Sequence, residues 1–155
     1  MEKITAEELK DRFGLEKHPE NGAFLEKHYE ADPLERAASG SIYYYVGPDE
    51  ITEFHVIDCD EYWCYAAGAP LQLWQIDPQG KSSVTMLGIA EGCQPFVFIK
   101  AGTLFGSRHA RGEKEGTFLT CITVPRFDYR GFRLIGREEV LKLDPGLRAF
   151  YESVE

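Results

Sequence analysis

The sequence predicts a mainly β chain, an antiparallel jelly-roll barrel with a short helix at each end. Two observations carry that reading. Eight short runs rich in β-branched and aromatic residues follow one another, each broken by Gly, Pro or Asp. Both ends of the chain instead show helical spacing and capping residues.

At the amino end Thr5 and Glu8 form a capping-box pattern, Leu9 and Phe13 share one helical face, and Gly14 stops the helix. The predicted strands are 41–46, 52–57, 62–66, 71–76, 83–87, 95–99, 117–124 and 132–135. Strands at about ten-residue spacing suit a barrel or jelly roll. Asp77-Pro78-Gln79-Gly80 is a hairpin turn between two of them. At the carboxyl end Asp144 is a cap, Pro145 suits the first helical position, and Leu147, Phe150, Tyr151 and Val154 recur at helical spacing. No repeat, low-complexity segment or linker interrupts residues 1–155, which read as a single domain.

Composition excludes several classes of function. The formal charge of −9 repels a phosphate backbone, and no basic cluster offsets it, so nucleic acid is not a partner. No apolar run approaches the ~20 residues of a membrane span. The start, Met1-Glu2-Lys3-Ile4-Thr5, resembles neither a secretion signal nor a transit peptide, so the expected location is cytoplasmic. Cys59, Cys64, Cys93 and Cys121 fall at irregular spacings that indicate neither a zinc site nor a disulfide framework, and they read as reduced thiols. The mixed-charge stretch Arg108 to Glu115 reads as a solvated hairpin turn.

The chemistry-bearing pattern is His55, then Glu61, then Gly68, with Ile57 two residues after His55. Residues two apart on a strand face one side, and a carboxylate on the next strand can meet them around one metal ion. This spacing resembles the first cupin motif, in which two histidines and a glutamate point into the barrel. Ile57 stands at the second histidine. In the region of the second motif only Gly102 remains, and Phe105 stands where the fourth ligand would be.

A closer likeness covers most of the chain, which resembles the cupin family DUF985, or cupin 5. The matching segments are Leu15 to Glu26, Ile42-Tyr43 with Thr52 to His55, Asp60 to Leu71, and Thr123 to Tyr129. The resemblance implies a jelly-roll cupin barrel, usually dimeric, related in shape to sugar-nucleotide epimerases. As pocket residues it implies His55, Glu61 and Trp63, with His18, Glu20 and Phe24 near the cavity mouth. The chain departs from the family pattern at Cys64, Phe96, Lys100, Leu104, Phe105 and Arg126.

Among the aromatics, Tyr43, Tyr45, Trp63, Tyr65 and Trp74 read either as a stacking platform or as core, with Trp63 set apart because it alternates with Glu61 onto one face. Cys64 falls on the opposite face and reads as a core thiol. Tyr43 and Phe105 join the ligand-binding candidates. His55 and Glu61 are the catalytic candidates, a half-buried histidine being raised in pKa by a neighbouring carboxylate. The same pair is the weak metal candidate, and no cofactor is expected.

Three functions stay open. The first is a metal-free sugar isomerase or epimerase with His55 as acid or base and Glu61 orienting it. The second is a non-catalytic metabolite-binding or sensing module, favoured by the apolar residues Phe96, Leu104 and Phe105. The third is a metal-dependent cupin. In each the partner is a small molecule, and the assembly expected is a homodimer whose second copy covers open strand edges.

Overall fold

Alternation of inward and outward side chains shapes nearly every strand. The computed structural model describes residues 3–19, 21–29 and 36–152, with 27–29 described by backbone alone. In chain order the elements are α1 (Ala6–Arg12), β1 (Glu16–Lys17), β2 (Ala23–Tyr29), β3 (Gly40–Val46), β4 (Ile51–Val56) and β5 (Asp60–Gly68). They continue with β6 (Leu71–Ile76), β7 (Ser82–Leu87), β8 (Phe96–Ile99), β9 (Leu104–Arg108), β10 (Thr117–Val124), β11 (Arg133–Leu134), α2 (Arg137–Leu143) and α3 (Arg148–Tyr151).

Two antiparallel sheets result, in the orders β1-β2-β3-β10-β5-β8 and β11-β4-β9-β6-β7. The strands of each sheet pair largely with neighbours distant in sequence, as a jelly roll requires. Tyr44, Val46, Ile57, Trp63, Leu71, Leu73, Ile99, Phe105 and Leu119 form the shared core. No helix among the described residues is long and apolar enough to cross a membrane.

Each sheet's outer face is partly covered by terminal helices. On the first sheet α1 sets Ala6 against Tyr45 and Phe118, and Phe13 lies 5.1 Å from the Tyr43 ring. The capping box is formed: Glu8 N–H donates to Thr5 Oγ1 at 3.2 Å and Thr5 N–H to Glu8 Oε2 at 2.7 Å. On the second sheet Val140, Leu147, Phe150 and Tyr151 cover Ile51, Phe54, Ile76 and Ile135. Asp144 caps as expected, accepting from Gly146 N–H at 2.8 Å, but Pro145–Leu147 form a 3₁₀ turn before α3. Val154 lies outside the described residues.

Several predicted boundaries hold: strand 71–76 is β6, strand 117–124 is β10, and Gly80 N–H closes the hairpin turn on Asp77 O at 2.8 Å. The structure adds β1, β2, β9 and α2, which the sequence reading omitted. It also corrects the reading of Arg108 to Glu115. Glu113 N–H does close a turn on Ala110 O at 3.1 Å, but Arg108 and His109 are buried. The Arg108 guanidinium donates to the carbonyls of Ala149 and Phe150, each at 3.0 Å, so it caps the last helix instead of facing solvent.

Candidate functional site

A cavity of about 460 Å³ opens between the sheets, a size suited to a small molecule. The first sheet supplies Tyr44, Glu61, Trp63, Cys121 and Thr123, and β4 with the residue after it supplies His55 and Ile57. His18 and Phe24 come from the β1–β2 region, and the segment after β10 adds Arg126, Phe127, Asp128 and Tyr129.

Strand register explains the convergence. Glu61 is paired with Thr123 and Trp63 with Cys121 across β5 and β10, so the four point to one side. Tyr62 and Cys64 consequently point out. Cys64 is half-buried on the outer face opposite Phe96, which corrects its reading as a core thiol; the buried thiols are Cys59 and Cys121. On β4 the register shifts between Thr52 and His55, where Glu53 and Phe54 stand opposite the single residue Gly106 of β9, as in a β-bulge. Thr52 and His55 are both buried, while Phe54 turns toward Phe150 at 4.7 Å.

His55 is only 3% exposed. Its Nδ1 donates to the Glu53 carbonyl at 2.8 Å, and its ring packs 4.1 Å from Phe105. Burial pushes its pKa down to about 4, and the charge that His18 would carry pushes the same way. This overturns the expectation of a half-buried histidine raised by a carboxylate: no His55–Glu61 ion pair forms among the described residues.

Glu61 behaves in the opposite sense. Burial pushes its carboxyl up to about 7, while Trp63 and Cys121 beside it favour the ionised form and lose. The Trp63 indole N–H lies close to that carboxyl, yet among the described residues it closes no hydrogen bond. His18 stacks on Tyr44 at 5.3 Å and meets the edge of Phe24 at 4.7 Å; burial brings its pKa to about 4 as well. The Tyr44 hydroxyl donates to Asn21 O at 2.8 Å, and Thr52 Oγ1 lies 2.9 Å from it. Ser107 Oγ donates to Thr52 Oγ1 at 2.7 Å, which extends the chain into β9. At the mouth Arg126 pairs with Glu26 at 2.8 Å.

The structure therefore brings together His55, Glu61, Trp63, His18 and Phe24. It sets Tyr43 apart, packed on Phe13 and Phe118 on the outer face. Its neighbour Tyr44 lines the cavity instead, and three consecutive tyrosines offer no periodic signal to choose between them. Of the other aromatics, Trp74 packs on Phe150 at 5.8 Å, and Tyr45 lies under α1. Tyr65 packs on the shared core, its hydroxyl on Gly68 O at 2.6 Å. Phe105 backs the His55 ring without lining the cavity. Phe96 is exposed on the outer face and Leu104 packs with the helix-covered core, so neither makes the cavity apolar. Glu20 lies outside the described residues. The sequence reading missed Tyr44, Cys121, Phe127 and the ion pair of Arg126 with Glu26.

A metal of the kind cupins hold does not fit this donor set. Ile57 and Phe105 carry no lone pairs at the second and fourth ligand positions. Among the described residues no three His, Cys, Asp or Glu side chains stand close enough to share an ion.

Comparison with known proteins agrees with this architecture. A hypothetical protein from Leishmania major is 29% identical, with 96% of this chain and 97% of that one covered and a TM-score of 0.83. A protein from Shewanella oneidensis is 25% identical, with coverage of 99% and 98% and a TM-score of 0.86. Oxalate decarboxylase from Bacillus subtilis shares the fold alone, at 14% identity over 84% of this chain and 34% of that one, with a TM-score of 0.60. No curated protein matches the chain in sequence. The family described as Cupin superfamily (DUF985) matches residues 7–135, and the chain belongs to it.

Proposed function

We propose that the cavity takes an uncharged small molecule and that Glu61 moves a proton on it, the chemistry of a metal-free isomerase or epimerase acting on a sugar-like substrate. One observation carries this reading: a carboxyl enclosed in the cavity wall is poised near pH 7. A proton-transfer group works best when its pKa lies near the working pH. His55, at about 4, stays neutral there and acts as an acceptor that orients the substrate. Roles are thus exchanged relative to those expected from the motif.

The step balances without an added oxidant or reductant. Ionised Glu61 takes the proton from the carbon beside a carbonyl, and the C–H electron pair becomes the C=C of an enolate. Protonated Glu61 then returns that proton to the neighbouring carbon while the hydroxyl proton of the first carbon passes to the former carbonyl oxygen, or to the same carbon's other face after the planar enolate turns over in the cavity. An uncharged substrate is supported at the mouth, because Arg126, the arginine among the described lining residues, is paired with Glu26. The four cysteines are free thiols, consistent with a cytosolic setting.

The test is a panel of aldoses and ketoses incubated with the protein in D2O and followed by NMR. Deuterium should enter at the carbon beside the carbonyl, and Glu61→Gln should abolish its entry. A sugar that binds saturably with no exchange would favour the binding-module reading.

A further inference from the structure

Tyr129 is the exposed aromatic of the cavity lining. Among the described residues the other lining rings, Phe24, Tyr44, Trp63 and Phe127, are buried or half-buried, whereas Tyr129 is 58% exposed. Single exposed apolar groups are ordinary on a protein surface. This one differs in lining a cavity and in being carried by a turn that is fixed from several sides.

Tyr129 opens the 3₁₀ turn Tyr129–Gly131, whose cap Asp128 accepts from Arg130 N–H at 2.9 Å. Phe132 N–H closes the turn on Tyr129 O at 3.2 Å. At its far end Gly131 approaches the Asp58 carboxylate so closely that any Cβ would collide with it. Asp58 is held in turn by two hydrogen bonds from Arg36, at 3.0 and 2.9 Å. Phe127 and Phe132 support the Tyr129 ring, with centroids 4.8 and 5.9 Å away and planes at 83° and 82° to it. Both contacts are perpendicular, so among the described residues no aromatic ring lies flat on Tyr129. A ring presented this rigidly loses little freedom when a ligand covers it.

The residue before Tyr129 supplies a matching polar group. Asp128 also lines the cavity, and a carboxylate offers about four acceptor sites. Arg130 fills three of them, through its backbone N–H, its Nε–H and one terminal N–H. Acceptor capacity remains for a hydroxyl. A pyranose presents both kinds of surface at once, a face of C–H groups and a rim of hydroxyls. We propose that Tyr129 is the specificity residue of the cavity, its ring stacking on the C–H face of a cyclic sugar while Asp128 accepts from a hydroxyl on the rim. This substrate class rests on the reading of the cavity as the site of a sugar-like substrate. Tyr129 and Asp128 capture the ring form in which aldoses and ketoses are mostly present in water, and Glu61 acts on the open-chain carbonyl form in equilibrium with it.

The probes are the methyl β-pyranosides of glucose, galactose and mannose, with galactitol as the open-chain comparison. Each glycoside is locked as an acetal and has no carbonyl, so its binding is read independently of proton transfer by Glu61. Titrated into ¹⁵N-labelled protein, at least one glycoside should shift the amides of residues 127–132 saturably and bind about tenfold tighter than galactitol. Saturation transfer from the protein should be strongest to the C–H protons of one ring face. Tyr129→Ala should bind that glycoside about tenfold more weakly, and Tyr129→Phe, which keeps the ring, within about twofold of the parent.

No glycoside binding, equal binding of galactitol, or unchanged glycoside affinity in Tyr129→Ala each overturns the proposal. So does phenol or tetramethylammonium binding through Tyr129 more tightly than every pyranoside, which gives the ring to a flat aromatic or a cation. Saturation transfer is read on the parent protein, so the test stands even if the Ala variant folds poorly. Glycoside binding through Tyr129 with no deuterium entering any aldose or ketose sinks the catalytic reading of Glu61 and leaves the stacking role standing. Deuterium exchange that Tyr129→Ala leaves unchanged does the reverse.

Discussion

The ring of His55 donates through Nδ1 to the carbonyl of Glu53, two residues earlier in the chain, at 2.8 Å. A carbonyl only accepts, so the neutral ring keeps its proton on Nδ1 and Nε2 is the acceptor nitrogen. The bulge that aims His55 inward thus also sets its tautomer.

Opposite pKa shifts in one cavity give a pH signature. His55 and His18 fall to about 4 from 6.5, so the stability they contribute is present above pH 6.5 and is lost as pH falls toward 4. Glu61 rises from 4.5 to about 7, so its contribution is complete below pH 4.5 and is lost as pH rises through 7. Glu61→Gln removes the second effect alone. Urea unfolding should find the variant more stable than the parent at pH 8, by ~1–3 kcal/mol, and nearly equal at pH 5. A variant less stable at pH 8 would mean that the carboxylate is paired.

Elemental analysis after gentle purification should find metal well below one atom per chain. Catalytic zinc sites keep three protein ligands, and here His55 and Glu61 have Ile57 and Phe105 where the motif wants nitrogen donors. One tightly held transition metal per chain, absent from His55→Ala, would overturn the metal-free reading.

Gly68 and Gly102 both hold positive φ, +100° and +83°, which strains any L side chain. They differ in space. A Cβ at Gly68 would run into the Gly116 carbonyl and Ala6, whereas at Gly102 it would meet only Pro78 Cγ at 3.8 Å. Gly102→Val should therefore cost ~1–2 kcal/mol from backbone strain alone, and Gly68→Val should cost more or leave the domain unfolded. Equal melting shifts would remove the distinction.

Where one local rule governs a residue, the sequence could be read directly. Thr5 and Glu8, Asp77 to Gly80, and the Glu61–Trp63 alternation depend on neighbours within a few positions, and each stands in the structure. Other features depend on partners far along the chain. β9 reads poorly as Leu-Phe-Gly-Ser-Arg because Gly106 is required by close approach to Thr52 O, 2.8 Å from a hypothetical Cβ. Arg108 reads as surface because its acceptors lie some forty residues on, at Ala149 and Phe150. The direction of the His55 shift depended on burial, and the residue pattern carried only its proximity to Glu61 in sequence.

The first sheet leaves an apolar surface that α1 does not reach, and a homodimer is the assembly expected to cover it. Phe96 and Phe98, on edge strand β8, are 53% and 47% exposed, and Val124 on β10 is 45% exposed. Tyr62 joins them, 5.4 Å from the Phe96 ring and 5.2 Å from that of Phe98. Half-buried Cys64 and Ile122 continue the patch inward. Edge strands with unprotected apolar faces invite pairing, and aromatic clusters are typical interface anchors. In such a dimer a second copy would bring the same patch through a two-fold axis, so each aromatic would be used twice and one substitution would act twice. Phe98→Lys should weaken the dimer by about a hundredfold or more and give monomer at micromolar concentration by light scattering. Val84→Lys is the control, since Val84 is 48% exposed but lies on β7 of the other sheet, and it should leave the dimer intact. A monomeric parent, or dissociation by Val84→Lys and not by Phe98→Lys, would show that this face is not where copies meet.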